Sequence, residues 1–144
     1  MSKVALLLSA ICLLSASVFA QTTPPKSPYA AIPVDQAKAA NPVKPSPESY
    51  ARAQKWWKLD CAMCHNANGD GKTDMAKDMK LNLNDLTDPK TLKDRTDGEL
   101  FYLINKGYGD MPPEGTRVKP EENWDLVNLV RSFSKKKDAE EKPQ

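Results

Sequence analysis

Cys61-Ala62-Met63-Cys64-His65 places two thiols and an imidazole within a single short stretch of chain. Residues three and four apart share a helix face, so the two thiols can add across the two vinyl groups of one porphyrin while the imidazole reaches its iron. A zinc site needs four ligands, and His65 is the only histidine, so cysteine and histidine together supply at most three. A thioredoxin-like redox pair would open a helix in a βαβ setting, which the flanking sequence lacks. The segment reads as a haem-attachment site with His65 on the proximal side of the iron.

Upstream, Ser46 as N-cap, Pro47 at the first helical position and Glu48 in the first turn mark a helix start. Tyr50, Ala53, Trp57 and Cys61 then recur at spacings of three and four, which predicts one helix running into the motif. Downstream, residues 66–73 carry two glycines and form a loop, Met75 and Met79 stand one helical turn apart, and Leu81 and Leu83 alternate with asparagine in an extended stretch. Asp88-Pro89 predicts a short helix reaching no further than Asp94. Thr96 and Glu99 form a capping box for a helix with Leu100, Phe101, Leu103 and Ile104 on its apolar face, ended by Gly107. After a Gly- and Pro-rich loop, a last helix starts at Pro120 with Glu121 and Glu122, shows Leu126, Leu129, Val130 and Phe133, and reaches Lys135-Lys136-Lys137. Acid at its start and base at its end suit the helix dipole. No segment reads as a strand, so the expected fold is all-α, with three main helices and one or two short ones around a covalently bound haem.

With no second histidine, the sixth iron ligand is sought among Met63, Met75, Met79 and Met111. Met63 lies between the cysteines on the wrong side of the helix. Met75 and Met79 have the helical spacing of core residues. Met111 lies between Gly107, Gly109 and Asp110 on one side and Pro112-Pro113 on the other, in extended backbone that can lay a thioether against the distal face. Met111 is the expected ligand, with packing in the core as the alternative role. Asn66, Asn68, Asp70, Gly71 and Asp74 imitate a calcium loop, but Lys77 stands where a bidentate glutamate is required.

The chain of 144 residues divides into four expected segments. Residues 1–20 combine Lys3, an apolar run over 4–14 and Val18-Phe19-Ala20 before Gln21, the pattern of a signal peptide. The run is broken by serines and too short for a spanning helix, and Ile11 before Cys12 disfavours lipidation, so no stable membrane insertion is expected. Residues 21–46 read as a proline-rich linker or arm, mostly mobile with a docked C-terminal end and few contacts to the core, since residues 21–47 hold seven of the twelve prolines; Tyr29, Ile32 and Val43 are apolar enough to dock, which leaves an arm ordered on the domain as the alternative. Residues 47–137 form the folded domain and 138–144 a charged tail. Losing Lys3 lowers the formal charge from +2 to +1, which leaves no basic excess for nucleic acid. After export only Cys61 and Cys64 remain, and an exported pair would otherwise form a disulfide. The thin apolar inventory implies that the haem itself supplies part of the core.

Over residues 47–133 the chain resembles class I monohaem cytochromes c, particularly the small periplasmic or oxidase-associated type. The likeness is carried by the Cys61 to His65 motif and by Gly109-Asp110-Met111-Pro112. Weaker support comes from Asn68-Gly69-Asp70-Gly71-Lys72, Leu86-Thr87-Asp88-Pro89, Asp97-Gly98-Glu99-Leu100-Phe101 and the run from Trp124. The resemblance implies the cytochrome c fold, one haem c per chain bound through Cys61 and Cys64, and His65 and Met111 as axial ligands. It also implies that Ala53 and Trp57 meet the last helix, where Leu129 replaces the usual tyrosine and Trp124 or Phe133 compensates. The family's proline after the haem loop, whose carbonyl orients the histidine, is absent from Lys80-Leu81-Asn82-Leu83. The expected function is periplasmic one-electron carriage between redox proteins, a dehydrogenase donor and an oxidase acceptor, without enzymatic activity. The alternatives are a haem-based ligand-binding or peroxidase-like protein, or an electron-transfer subunit docked through the arm. Leu81, Leu83, Leu100, Ile104 and Trp124 are expected around the haem.

Overall fold

The computed structural model describes residues 27–140, with side chains as far as residue 134. The expected signal peptide lies outside the described residues. Among the described residues no strand occurs, only an isolated bridge between Tyr108 and Met111.

Three helices make the frame: α2 (Pro47–Trp56), α5 (Asp97–Lys106) and α6 (Pro120–Glu140), with α1 (Val34–Ala37), α3 (Ala62–His65) and α4 (Asp74–Asp78) as short pieces. Their starts are chemically determined. The Ser46 hydroxyl accepts the Ser49 amide at 3.1 Å while Ser49 Oγ accepts the Ser46 amide at 2.9 Å, which satisfies two donors that the first turn of α2 leaves open. Thr96 and Glu99 do the same for α5, at 3.1 and 2.8 Å. At the start of α6, Glu122 accepts the Lys119 amide at 3.2 Å.

Beyond Trp56 the first helix does not stop. It passes through a π-helical segment, Trp57–Cys61, directly into α3, so the haem-attachment motif sits on a continuous rod. A π turn adds a residue to the turn and re-aims the face that follows it. The rod ends at Asn66, whose φ of 67° turns the chain away. Trp57 Nε1 donates to the Asn66 carbonyl at 3.0 Å, and the Gly71 amide donates to the His65 carbonyl at 2.9 Å, closing the loop behind the motif.

The core lies where α2 packs on α6. Ala53 is 0% and Leu129 2% exposed, and the Trp57 and Phe133 rings meet at 4.9 Å between centroids. Leu129 leaves room that Phe133, one turn on, fills with an aromatic contact, as the resemblance implied. Beside the core, the Arg52 guanidinium grips Asp125, with Nε 2.7 Å from Oδ2 and Nη2 3.2 Å from Oδ1.

Two expectations fail. The short helix after Asp88-Pro89 does not form; residues 86–95 run through successive turns instead. Asp85 Oδ1 accepts the Thr87 amide at 2.8 Å and Thr91 Oγ1 donates to the Asp85 carbonyl at 2.6 Å, so side chains take the groups a helix would use. The arm also docks over more of its length than its C-terminal end, which leaves the ordered alternative as the one that holds from Ser27 onward. From Ser27 onward it folds as a 3-10 turn (Pro28–Ala31) and α1, and both pack on α5. Ile32 is buried, and Asn128 Nδ2 donates to the Val43 carbonyl at 3.0 Å. The contacts come from side chains spread too irregularly to show a period.

Candidate haem site

An apolar cavity of about 400 Å³ opens beside the motif. Trp57, Cys61, Cys64 and His65 line it from the helical rod, Leu81 and Leu83 from the extended stretch, and Leu100, Leu103 and Ile104 from α5. Tyr108, Met111 and Pro112 come from the following loop, Leu126 and Val130 from α6. All four expected site residues, Cys61, Cys64, His65 and Met111, are therefore brought to one cavity. The other methionines are elsewhere: Met63 is 55%, Met75 44% and Met79 50% exposed, and none lines it.

The Met111 loop is held tightly. Tyr108 and Met111 exchange two backbone hydrogen bonds of 3.0 Å each, and the amides of Glu114 and Gly115 donate to the carbonyls of Ile104 and Asn105, again at 3.0 Å. Gly107 has a φ of 72° and passes so close to the Met111 carbonyl oxygen that a Cβ there would collide with it. The glycine that ends α5 thus also allows the return of the methionine.

Burial holds the His65 imidazole below its ordinary pKa, so it stays neutral, the form that binds iron. Its Nδ1 is buried with no hydrogen-bond partner, so no carbonyl replaces the one that the family's proline supplies. The ring is set instead by packing, its centroid 5.8 Å from that of Trp57. Burial pushes the Cys61 thiol up to about 12, with the charges of Glu114 and Asp60 adding to the effect.

Some lining residues gave no signal in the sequence. Glu114 is buried at 4% exposure, and its carboxyl is raised above the usual range by burial and by Asp60, against the pull of Arg117. Arg117 reaches Asp60 at 2.8 Å and Glu114 at 3.6 Å. Both acids line the cavity next to Cys61, an arrangement that only the return of the loop onto the rod creates. Tyr29, from the arm, also lines it. Conversely, Trp124 is not on the wall; it stacks on Phe101, which is not on the wall either, at 4.1 Å between ring centroids. An i, i+3 apolar pattern cannot separate these two fates.

Haem c asks for two thiols one turn apart, a neutral imidazole with a free nitrogen and an apolar enclosure, and these residues fit it. A helical domain built around such a cavity is a c-type cytochrome. The chain belongs to the family described as "Cytochrome C oxidase, cbb3-type, subunit III", whose model matches residues 48–130. Its cofactor is accordingly covalently bound haem c, and its role is electron transfer. Among solved structures, it is similar to one titled "KustC0563 c-type cytochrome", at 28% identity and a TM-score of 0.51, over 56% of this chain and 95% of that one. No curated protein matches significantly. Among the described residues no helix is long and apolar enough to cross a membrane.

Proposed function

We propose that this protein is a periplasmic one-electron carrier whose haem is held by Cys61 and Cys64, with His65 and Met111 as its axial ligands. The observation that carries this reading is that Met111 alone among the methionines of the described residues lines the cavity that Cys61, Cys64 and His65 also line. The bound haem supplies an iron that alternates between two oxidation states. His65 offers a neutral nitrogen already positioned by Trp57, and the Met111 thioether, a soft donor, favours the reduced metal and raises the potential. The leucines of the wall exclude water, so little around the iron has to rearrange when an electron arrives or leaves. Both ligands fill iron positions that a peroxide or a gas would need, which supports carriage over catalysis.

Residues 1–20 act in this reading as the export signal, and residues 47–137 as the electron-carrying domain. The oxidase in the family's description is the natural acceptor, with a dehydrogenase as donor. The test is an absorption spectrum of the purified, reduced protein with and without carbon monoxide. A haem c spectrum that carbon monoxide leaves unchanged is expected. A carbon monoxide adduct in the parent protein would mean an open iron and would favour the ligand-binding alternative.

A further inference from the structure

The family match begins at residue 48, yet the chain in front of it reaches the haem cavity. Tyr29 lies in the 3-10 turn capped by Ser27 and lines the cavity. The Arg95 guanidinium covers its ring at 4.1 Å, and Arg95 is itself paired with Glu99 of α5 at 3.6 Å. The burial of one side chain and four hydrogen bonds also hold this segment down. Ile32 is buried, and Thr96 Oγ1 donates to the Ala37 carbonyl at 2.5 Å. Asn41 Nδ2 reaches the Trp124 carbonyl at 3.2 Å and Asn128 Oδ1 at 3.0 Å, and Asn128 closes the clasp on Val43. Gly98 is shaped for the same contact, since a Cβ there would strike the Gln36 carbonyl oxygen. Ordering a segment with no core of its own costs backbone entropy at every residue, so contacts spread over its length are what keep it in place.

We propose that residues 27–43 are a strap that completes the haem-binding site, with Tyr29 as the residue that closes the cavity to water and so holds the reduction potential up. Oxidised haem carries one more positive charge than reduced haem, and water stabilises the more charged form. A wall that keeps water out therefore favours reduction. Tyr29 contributes a broad apolar ring at low entropic cost, and the Arg95 face behind it fixes the ring against the opening.

The proposal rests on the haem reading above, and full-length holoprotein tests both. Tyr29→Ala removes the closing ring, and Gly98→Val lifts the strap off α5. Val34→Ser is the control on the same segment, at a side chain 67% exposed and away from the cavity. The midpoint potential should fall in both Tyr29→Ala and Gly98→Val and stay at the parent value in Val34→Ser. In Gly98→Val, amide exchange over residues 29–43 should also accelerate about tenfold or more while α2 and α6 remain protected. A Tyr29→Ala protein with protected helices and the parent's potential would overturn the strap. So would a Gly98→Val protein whose strap exchanges freely at unchanged potential. If Gly98→Val does not accumulate in folded form, Tyr29→Ala decides alone, since it leaves Gly98 and the strap's hydrogen bonds to Thr96, Trp124 and Asn128 in place. A parent protein that carries no haem would overturn the haem reading itself.

Discussion

In the proposed reading Met111 supplies the sixth iron ligand, and its position depends on the backbone of its own loop. Paired backbone bonds tie Met111 to Tyr108 across the turn. Met111→Ala should open the sixth iron position, so that reduced protein goes from no carbon monoxide binding to a full adduct while its potential drops. Retention of the parent's methionine-to-iron charge-transfer band in that variant would show that another sulfur is the ligand. Gly107→Ala makes the complementary point. A side chain at φ 72°, facing the Met111 carbonyl, is strained and crowded at once, so the variant should lose about 1–3 kcal/mol and weaken the same band without removing a ligand atom. Chemical unfolding of the holoprotein, read alongside the band, checks both effects. Loss of stability with the band at full strength would mean that the loop tolerates displacement without moving the sulfur.

Between elements, the joint of α2 and α6 has an apolar part and a charged part. Ala53 permits close approach of the helices, while Arg52 neutralises Asp125, which is entirely removed from water. Removing Arg52 leaves the Asp125 carboxylate buried without its charged partner, so Arg52→Ala should destabilise the fold, by less than the loss of a fully buried pair because Arg52 is itself partly exposed. Urea unfolding would measure it, and Asp125→Asn in the same chain should restore part of the loss. An additive double variant would mean the pair contributes through separate contacts. The main helices were legible because their signals are local: Ser46 with Pro47, Thr96 with Glu99, and Pro120 with two glutamates each act within one turn. Asp88-Pro89 carries the same kind of signal and forms no helix, because the Thr87 amide and the Thr91 hydroxyl donate to Asp85 instead. Start signals alone do not decide between a helix and a chain of turns when threonines compete for the same groups.

At the scale of the whole molecule, the cavity sits among the three main helices and is lined by leucines from several elements, so the folded state without haem would enclose an apolar void. Close-packed interiors do not tolerate such voids cheaply. Replacing both Cys61 and Cys64 by alanine should therefore leave a chain with little fixed tertiary structure and no cooperative thermal transition, as read by near-ultraviolet circular dichroism. A transition matching that of the parent would show that the helices support one another without the haem. The sequence by itself determined the attachment motif, the three helices that frame it, the absence of strands among the described residues and the methionine that stands in a loop. Each of these follows from residues within a turn or two of one another, where capping, spacing and backbone preference act directly. Only the tertiary structure decided that Trp124 stays off the cavity wall while Tyr29 joins it, that Glu114 comes to lie beside Cys61, and that the proline-rich arm docks from Ser27 onward and not only at its C-terminal end. Those outcomes depend on surfaces that do not exist until distant helices have met, and a segment without periodicity carries no record of the groove it will fill.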